Sequence, residues 1–129
     1  LAESKNISYK ITLGNDLRLD FLEELDMISI VGNLLDNALE AAEKTKDGRY
    51  VECRMYMGNE EHFLVMEFCN GYVVPLLKDK DRYISTKRDA DSHGIGLHTV
   101  GKLVKKYAGI MRVEVGEQEF SVKLIFTIK

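Results

Sequence analysis

The sequence predicts an α/β fold of two layers, with helices covering one face of a sheet whose other face meets water. Three observations carry this expectation. Five short segments alternate apolar and polar residues, the period of a half-buried strand. Two longer segments repeat apolar residues at helical spacing, from about Leu25 to Lys44 and from about Gly96 to Tyr107. No strand segment reads as apolar throughout, which argues against a doubly wound parallel sheet, whose strands are buried on both faces.

The elements follow in order. Ile7, Tyr9, Ile11 and Leu13 alternate with polar residues and give a first strand with one buried face. The first helix then presents Ile28, Ile30 and its other apolar positions to the core, and Lys46-Asp47-Gly48 is the turn that ends it. Val51, Cys53, Met55 and Met57 alternate with Glu52 and Arg54 in a second strand. Gly58-Asn59-Glu60 turns the chain into a third, Leu64 to Phe68. After the second helix, Met111, Val113 and Val115 mark a fourth strand, and Phe120, Val122, Leu124, Phe126 and Ile128 a fifth. The stretch from Tyr72 to His93 is different in kind. It holds Pro75 and the polar runs Lys78–Arg82 and Arg88–Ser92, with little apolar period, and a segment this long inside a compact domain is functional or disordered.

A chain of 129 residues fits one domain, 1–129, large enough to bury a core without staples. Hydrophobic content of 45% and charged content of 30% are those of a soluble globular protein. A net charge of −3 supplies no basic field, which disfavours nucleic acid and electrostatic docking on a membrane. No apolar run approaches the length that spans a bilayer and no signal-peptide pattern opens the chain, so the expectation is a cytoplasmic domain without direct membrane contact. Cys53 and Cys69 fall inside strands without metal-ligand spacing and read as reduced core residues.

Two motifs carry chemistry. In Asn33-Leu34-Leu35-Asp36-Asn37-Ala38-Leu39-Glu40-Ala41 two asparagines stand four residues apart, so their amides share a helix face. An amide offers an acceptor and two donors to a hydrated cation or a phosphate without the cost of burying an ion. Taken alone, a pair of buried amides satisfied by backbone is the plainer reading. The second motif is Ser92-His93-Gly94-Ile95-Gly96-Leu97, where two glycines precede an apolar pattern at Leu97, Val100, Leu103 and Val104. Bare backbone NH groups opening a helix attract phosphate, although for a lone Gly-x-Gly an ordinary turn before a helix is the plainer reading.

Together, in this order and spacing, the two motifs resemble the N box and G2 box of the GHKL superfamily of ATP-binding domains. The resemblance covers about Ile7 to Ile128 and is closest to sensor histidine kinases, which commonly read NLLxNAxxA and HGIGL. Ser85-Thr86-Lys87, seven residues ahead of Gly94, is similar to a lid that reads STK. The family's G1 box, DxGxG, is replaced by Phe68-Cys69-Asn70-Gly71-Tyr72, which resembles the degenerate box of quorum-sensing-type kinases. Alternation from Leu64 through Met66 and Phe68 places Asn70, rather than Cys69, at the adenine position. An Asn oxygen still accepts from the adenine amine but lacks the charge that roughly doubles such a bond, so adenine binding should weaken. Asn70-Gly71 is also a turn signal in its own right.

The resemblance implies the Bergerat ATP-binding fold, a mixed and mostly antiparallel sheet covered on one face by helices, with 72–93 as the ATP lid. It implies transfer of the ATP γ-phosphoryl group to a histidine on a dimerisation domain, with a response regulator downstream and Mg2+ as cofactor. By that resemblance Asn37 holds Mg2+, and Asn33 holds its water shell or a phosphate. Gly94, Ile95, Gly96 and Leu97 line the phosphates, Lys87 meets the γ-phosphate, and Thr86 and His93 lie beside it. Hydrolytic relatives place a glutamate base at the position of Asn33; an amide takes no proton at neutral pH, so hydrolysis should be slow and transfer favoured. Asp36 and Glu40 stand off the asparagine stripe and read as exposed charges. None of His62, His93 and His98 has the context of a phosphoacceptor. The alternative function is a GHKL module that binds nucleotide and regulates a partner without transferring phosphate.

Overall fold

The computed structural model describes residues 7–43, 49–58, 60, 62–71 and 94–128. Among these the elements run β1 (Ser8–Leu13), α1 (Glu24–Glu43), β2 (Tyr50–Gly58), β3 (Phe63–Gly71), α2 (Gly94–Lys106), β4 (Ile110–Val115) and β5 (Glu119–Thr127). The strands form one sheet in the order β1-β2-β3-β5-β4. β1 and β2 pair in parallel, which requires a crossover, and α1 is that crossover. The other three pairs are antiparallel, giving the mixed, mostly antiparallel sheet expected.

Register divides the sheet into two faces. Val51–Asn70–Phe120, Cys53–Phe68–Val122, Met55–Met66–Leu124 and Met57–Leu64–Phe126 are rows across β2, β3 and β5 on the helix-covered face. The intervening rows face water. There Glu67 accepts from the Tyr56 hydroxyl at 2.8 Å and lies 2.8 Å from Arg54 Nη2 and 3.5 Å from Lys123 Nζ. Half-exposed ion pairs of this kind add little stability; their service is to keep that face wet. α1 buries Ile30, Leu34, Ala38 and Ala42, every fourth residue, and α2 buries Val100 and Val104. These close on Leu64, Met66, Phe68, Leu124 and Phe126.

Three expectations change. Ile28 is 60% exposed rather than core, because two residues at about 100° each put it nearly opposite Ile30 around the helix. The alternation in β1 does not mean burial: Tyr9, Ile11 and Leu13 pair with Val51, Cys53 and Met55 on the helix side, yet are 46–66% exposed. Five strands at about 4.8 Å spacing outrun two helices of about 10 Å diameter, so edge strands overhang the described helices. Val113 and Val115 on the opposite edge are exposed for the same reason. Finally, α2 begins at Gly94 rather than at about Gly96, so both glycines occupy its first turn. Lys46-Asp47-Gly48 and the segment 72–93, with Thr86, Lys87 and His93, lie outside the described residues.

α2 ends on a left-handed Ala108 with φ 55, the amides of Ala108 and Gly109 bonding back to Lys105 O at 3.0 Å and Val104 O at 2.8 Å. This is the two-bond Schellman stop. Gly109 is required next, since a Cβ there would stand 2.8 Å from the Phe126 ring.

Candidate functional site

α1 and α2 run antiparallel against each other. Lys106, at the end of α2, holds Asp26 near the start of α1 with Nζ to Oδ2 at 2.7 Å. Gly96, in the first turn of α2, backs onto Asn33 farther along α1: a Cβ at Gly96 would stand 3.1 Å from Asn33 Oδ1. The fold thus seats the glycine motif against the asparagine motif. The first turn of a helix has backbone NH groups without intrahelical partners and the positive end of the dipole, and in α2 that turn carries Gly96, the residue that lies against Asn33.

Asn33 is oriented from within its own helix. Its Nδ2 donates to Ser29 O at 2.7 Å and to Ser29 Oγ at 3.2 Å. Both NH bonds point back along α1, and Oδ1 is the group turned toward α2. Asn37, one turn on, shares that face and is half-buried, whereas Asp36 and Glu40 are exposed on the outside as expected. Leu97 packs on the main core and half-buries the start of α2.

Asn70 stands at the end of β3 on the helix-covered face, only 1% exposed, where alternation placed it. Its Nδ2 donates to Gly71 O at 2.9 Å, which fixes the amide. Its row neighbour Val51 packs with Ala38 and Ala42 of α1, and Ala38 directly follows Asn37, so the third motif belongs to the same region. Behind it, on the open face, the Tyr50 hydroxyl donates to Glu119, tying the ends of β2 and β5 on either side of β3. Burial, then that carboxylate, hold the Tyr50 hydroxyl well above its ordinary range.

Cys53 and Cys69 are buried free thiols on opposite faces of the sheet. Burial pushes Cys53 up to about 11 and raises Cys69 likewise, so both stay protonated and inert. His62 and His98 are exposed. Among the described residues no three His, Cys, Asp or Glu side chains gather where they could hold a metal. A cation here would rest on amide oxygens and on its ligand's phosphates, a donor set that suits Mg2+. Sequence reasoning missed Ser29, whose signal is a hydroxyl four residues before Asn33, and the junction of Asp26 with Lys106 and Tyr107, which has no local signature.

The sequence pattern that defines the GHKL domain matches residues 22–127. The chain belongs to the GHKL domain family. This GHKL domain is similar to the sensor histidine kinase DpiB of Escherichia coli, 34% identical over 72% of this chain and 18% of that protein. It is also similar to the sensor histidine kinase CitA of Klebsiella pneumoniae, 32% identical over 72% of this chain and 17% of that one. The chain therefore spans less than a fifth of the length of these curated relatives. Its fold is that of the catalytic domain of the histidine kinase ThkA, with a TM-score of 0.67 at 15% identity over 97% of this chain and 80% of that one. The histidine kinase domain of a blue-light activated kinase from Erythrobacter litoralis gives a TM-score of 0.62 at 18% identity, covering 92% of this chain and 54% of that one.

Proposed function

We propose that this GHKL domain is the ATP-binding catalytic domain of a two-component sensor kinase, and that it passes the γ-phosphoryl group of ATP to a histidine on a helical dimerisation domain outside this chain. The observation that carries the reading is the seating of Gly96 against Asn33, which brings the start of α2, where backbone NH groups suit phosphate, beside the oriented amide of Asn33. Similarity to two sensor histidine kinases favours transfer over the module that only binds nucleotide.

Phosphoryl transfer asks a protein for positioning and charge neutralisation more than for covalent chemistry. In this reading Asn37 and Asn33 hold Mg2+ and its water shell; the ion, when bound, neutralises charge developing on the phosphates. The backbone NH groups of Gly94, Ile95, Gly96 and Leu97 hold phosphate oxygens. Asn70 offers Oδ1, its acceptor atom, to the adenine amine, while one N–H of its NH2 holds Gly71 O and fixes the amide's orientation. Residues 72–93 act as the lid, with Lys87 on the γ-phosphate and Thr86 and His93 beside it. Asn33 accepts no proton, so water is left unactivated and a histidine acceptor is favoured. A response regulator would receive the phosphoryl group next. No described helix is long and apolar enough to cross a membrane, and a cytoplasmic place beneath a membrane sensor fits the reading.

The test is transfer from γ-labelled ATP. The domain alone should not label itself, because His62 and His98 stand exposed without an acceptor context, whereas a helical hairpin bearing the acceptor histidine, added in trans, should be labelled. Self-labelling lost on changing His62, His93 or His98 would contradict this division of labour.

A further inference from the structure

We propose that Tyr107, with Asp26 and Lys106, is a positioning device for the phosphate site: it fixes where the far end of α2 stands against Asn33. The inference rests on the nucleotide site just described. Met27 N bonds to Glu23 O at 2.9 Å, which makes Glu23 the N-cap of α1 and Asp26 its third helical residue. In an ordinary capping box the third residue reaches back to the N-cap amide itself. Here the Tyr107 hydroxyl is inserted between them, accepting from Glu23 N at 3.0 Å and donating to Asp26 Oδ2. The same carboxylate oxygen takes Lys106 Nζ at 2.7 Å, and Glu23 Oε2 lies 3.5 Å from that ammonium. The start of α1 is thus capped by Tyr107, the residue that follows α2. Phe21 meets the Tyr107 ring edge-on with centroids 6.1 Å apart, and Phe126 does so at 6.4 Å, so the ring has a fixed seat.

A helix behaves as a rod at this length. Val100 is fully buried and serves as the natural pivot, with Gly96 about 6 Å to one side and Tyr107 about 10 Å to the other at 1.5 Å per residue. A tilt of about 5° would carry Gly96 by roughly 0.5 Å. A shift of that size matters where α2 passes so near Asn33 that only a residue without a Cβ fits: one built on Gly96 would stand 3.1 Å from Asn33 Oδ1. The junction at one end of α2 therefore sets the phosphate NH groups at the other.

Tyr107→Phe keeps the ring and removes the hydroxyl. Nitrogen-resolved NMR spectra of the nucleotide-free chain should show the Gly96 backbone amide and the Asn33 side-chain amide displaced, although neither touches Tyr107. Calorimetry should then show Mg·ATP affinity reduced roughly threefold or more. Lys106→Met, at a half-exposed site that folding tolerates, should move the same signals in the same direction by less. Val65→Ala, buried on the open face of the sheet away from both helices, controls for lost stability and should leave affinity unchanged at a matched melting temperature. Unmoved Gly96 and Asn33 signals in both helix variants, or an equal loss of affinity in Val65→Ala, would overturn the proposal. Failure of the unaltered chain to bind ATP would overturn the nucleotide reading instead, and the nucleotide-free spectra would still decide the role of Tyr107.

Discussion

Gly96 and Asn70 show how much of this site is decided by single atoms. At Gly96 an added methyl would press on Asn33 Oδ1 from 3.1 Å, with Asn33 Cβ and Cγ at 3.5 and 3.6 Å behind it. Asn33 cannot retreat without giving up both bonds to Ser29. Alanine is otherwise the better helix former by about 1 kcal/mol. Gly96→Ala should therefore keep or raise the melting temperature while lowering Mg·ATP affinity by about tenfold or more, as separate melting and titration measurements would show. Asn70 invites the opposite substitution, since relatives place an aspartate at the adenine. Yet the Nδ2 of Asn70 feeds Gly71 O at 2.9 Å, and a carboxylate would set two acceptors face to face in a buried spot. Asn70→Asp should cost about 1–3 kcal/mol of stability in chemical denaturation and give no gain in ATP affinity at pH 7. A tighter complex would mean that Gly71 can turn its carbonyl away.

The two helices were legible to within two residues at their starts, because their apolar period is regular. What the period could not supply was which apolar residues find cover. Tyr9, Ile11 and Leu13 fit a half-buried strand and stand exposed, since cover is set by how many strands a helix pair can span, whereas Ile28 is exposed because it lies off the buried stripe of α1. The antiparallel seating of α1 on α2 was equally hidden: it rests on Asp26, Lys106 and Tyr107, about eighty residues apart in sequence. That junction has a pH signature. Bonds from Lys106, then Tyr107, hold the Asp26 carboxyl below its ordinary 3.8, and the bond to Asp26 holds the Lys106 ammonium above its ordinary 10.5. A lowered acid stabilises the fold above its unfolded value and loses that contribution as pH falls through the folded one; the raised base does the reverse at the alkaline end. The junction should thus be intact between about pH 4 and pH 10. Measured by denaturation, the stability gap between the unaltered chain and Asp26→Asn should be flat near neutrality and shrink below pH 4. A gap that instead widened on acidification would contradict the assigned partners.

For the molecule as a whole, strand order, one covered face and three motifs converge on a single region. Asn33, Asn37, Asn70 and Gly96 could be picked from the sequence because each stands out locally: amides on an apolar helix, an amide ending a strand, a glycine of a Gly-x-Gly pair ahead of a helical pattern. Ser29 and Tyr107 break none, and their service emerges only from distances. The central claim is that these parts bind adenine nucleotide through a cation held by Asn37. Calorimetric titration of ATP with and without Mg2+, on the unaltered chain and on Asn37→Ala, tests it most directly. The account predicts moderate binding that strengthens with Mg2+ in the unaltered chain and loses that dependence in Asn37→Ala. Equal affinity with and without Mg2+ in the unaltered chain, or no binding in either condition, would contradict it.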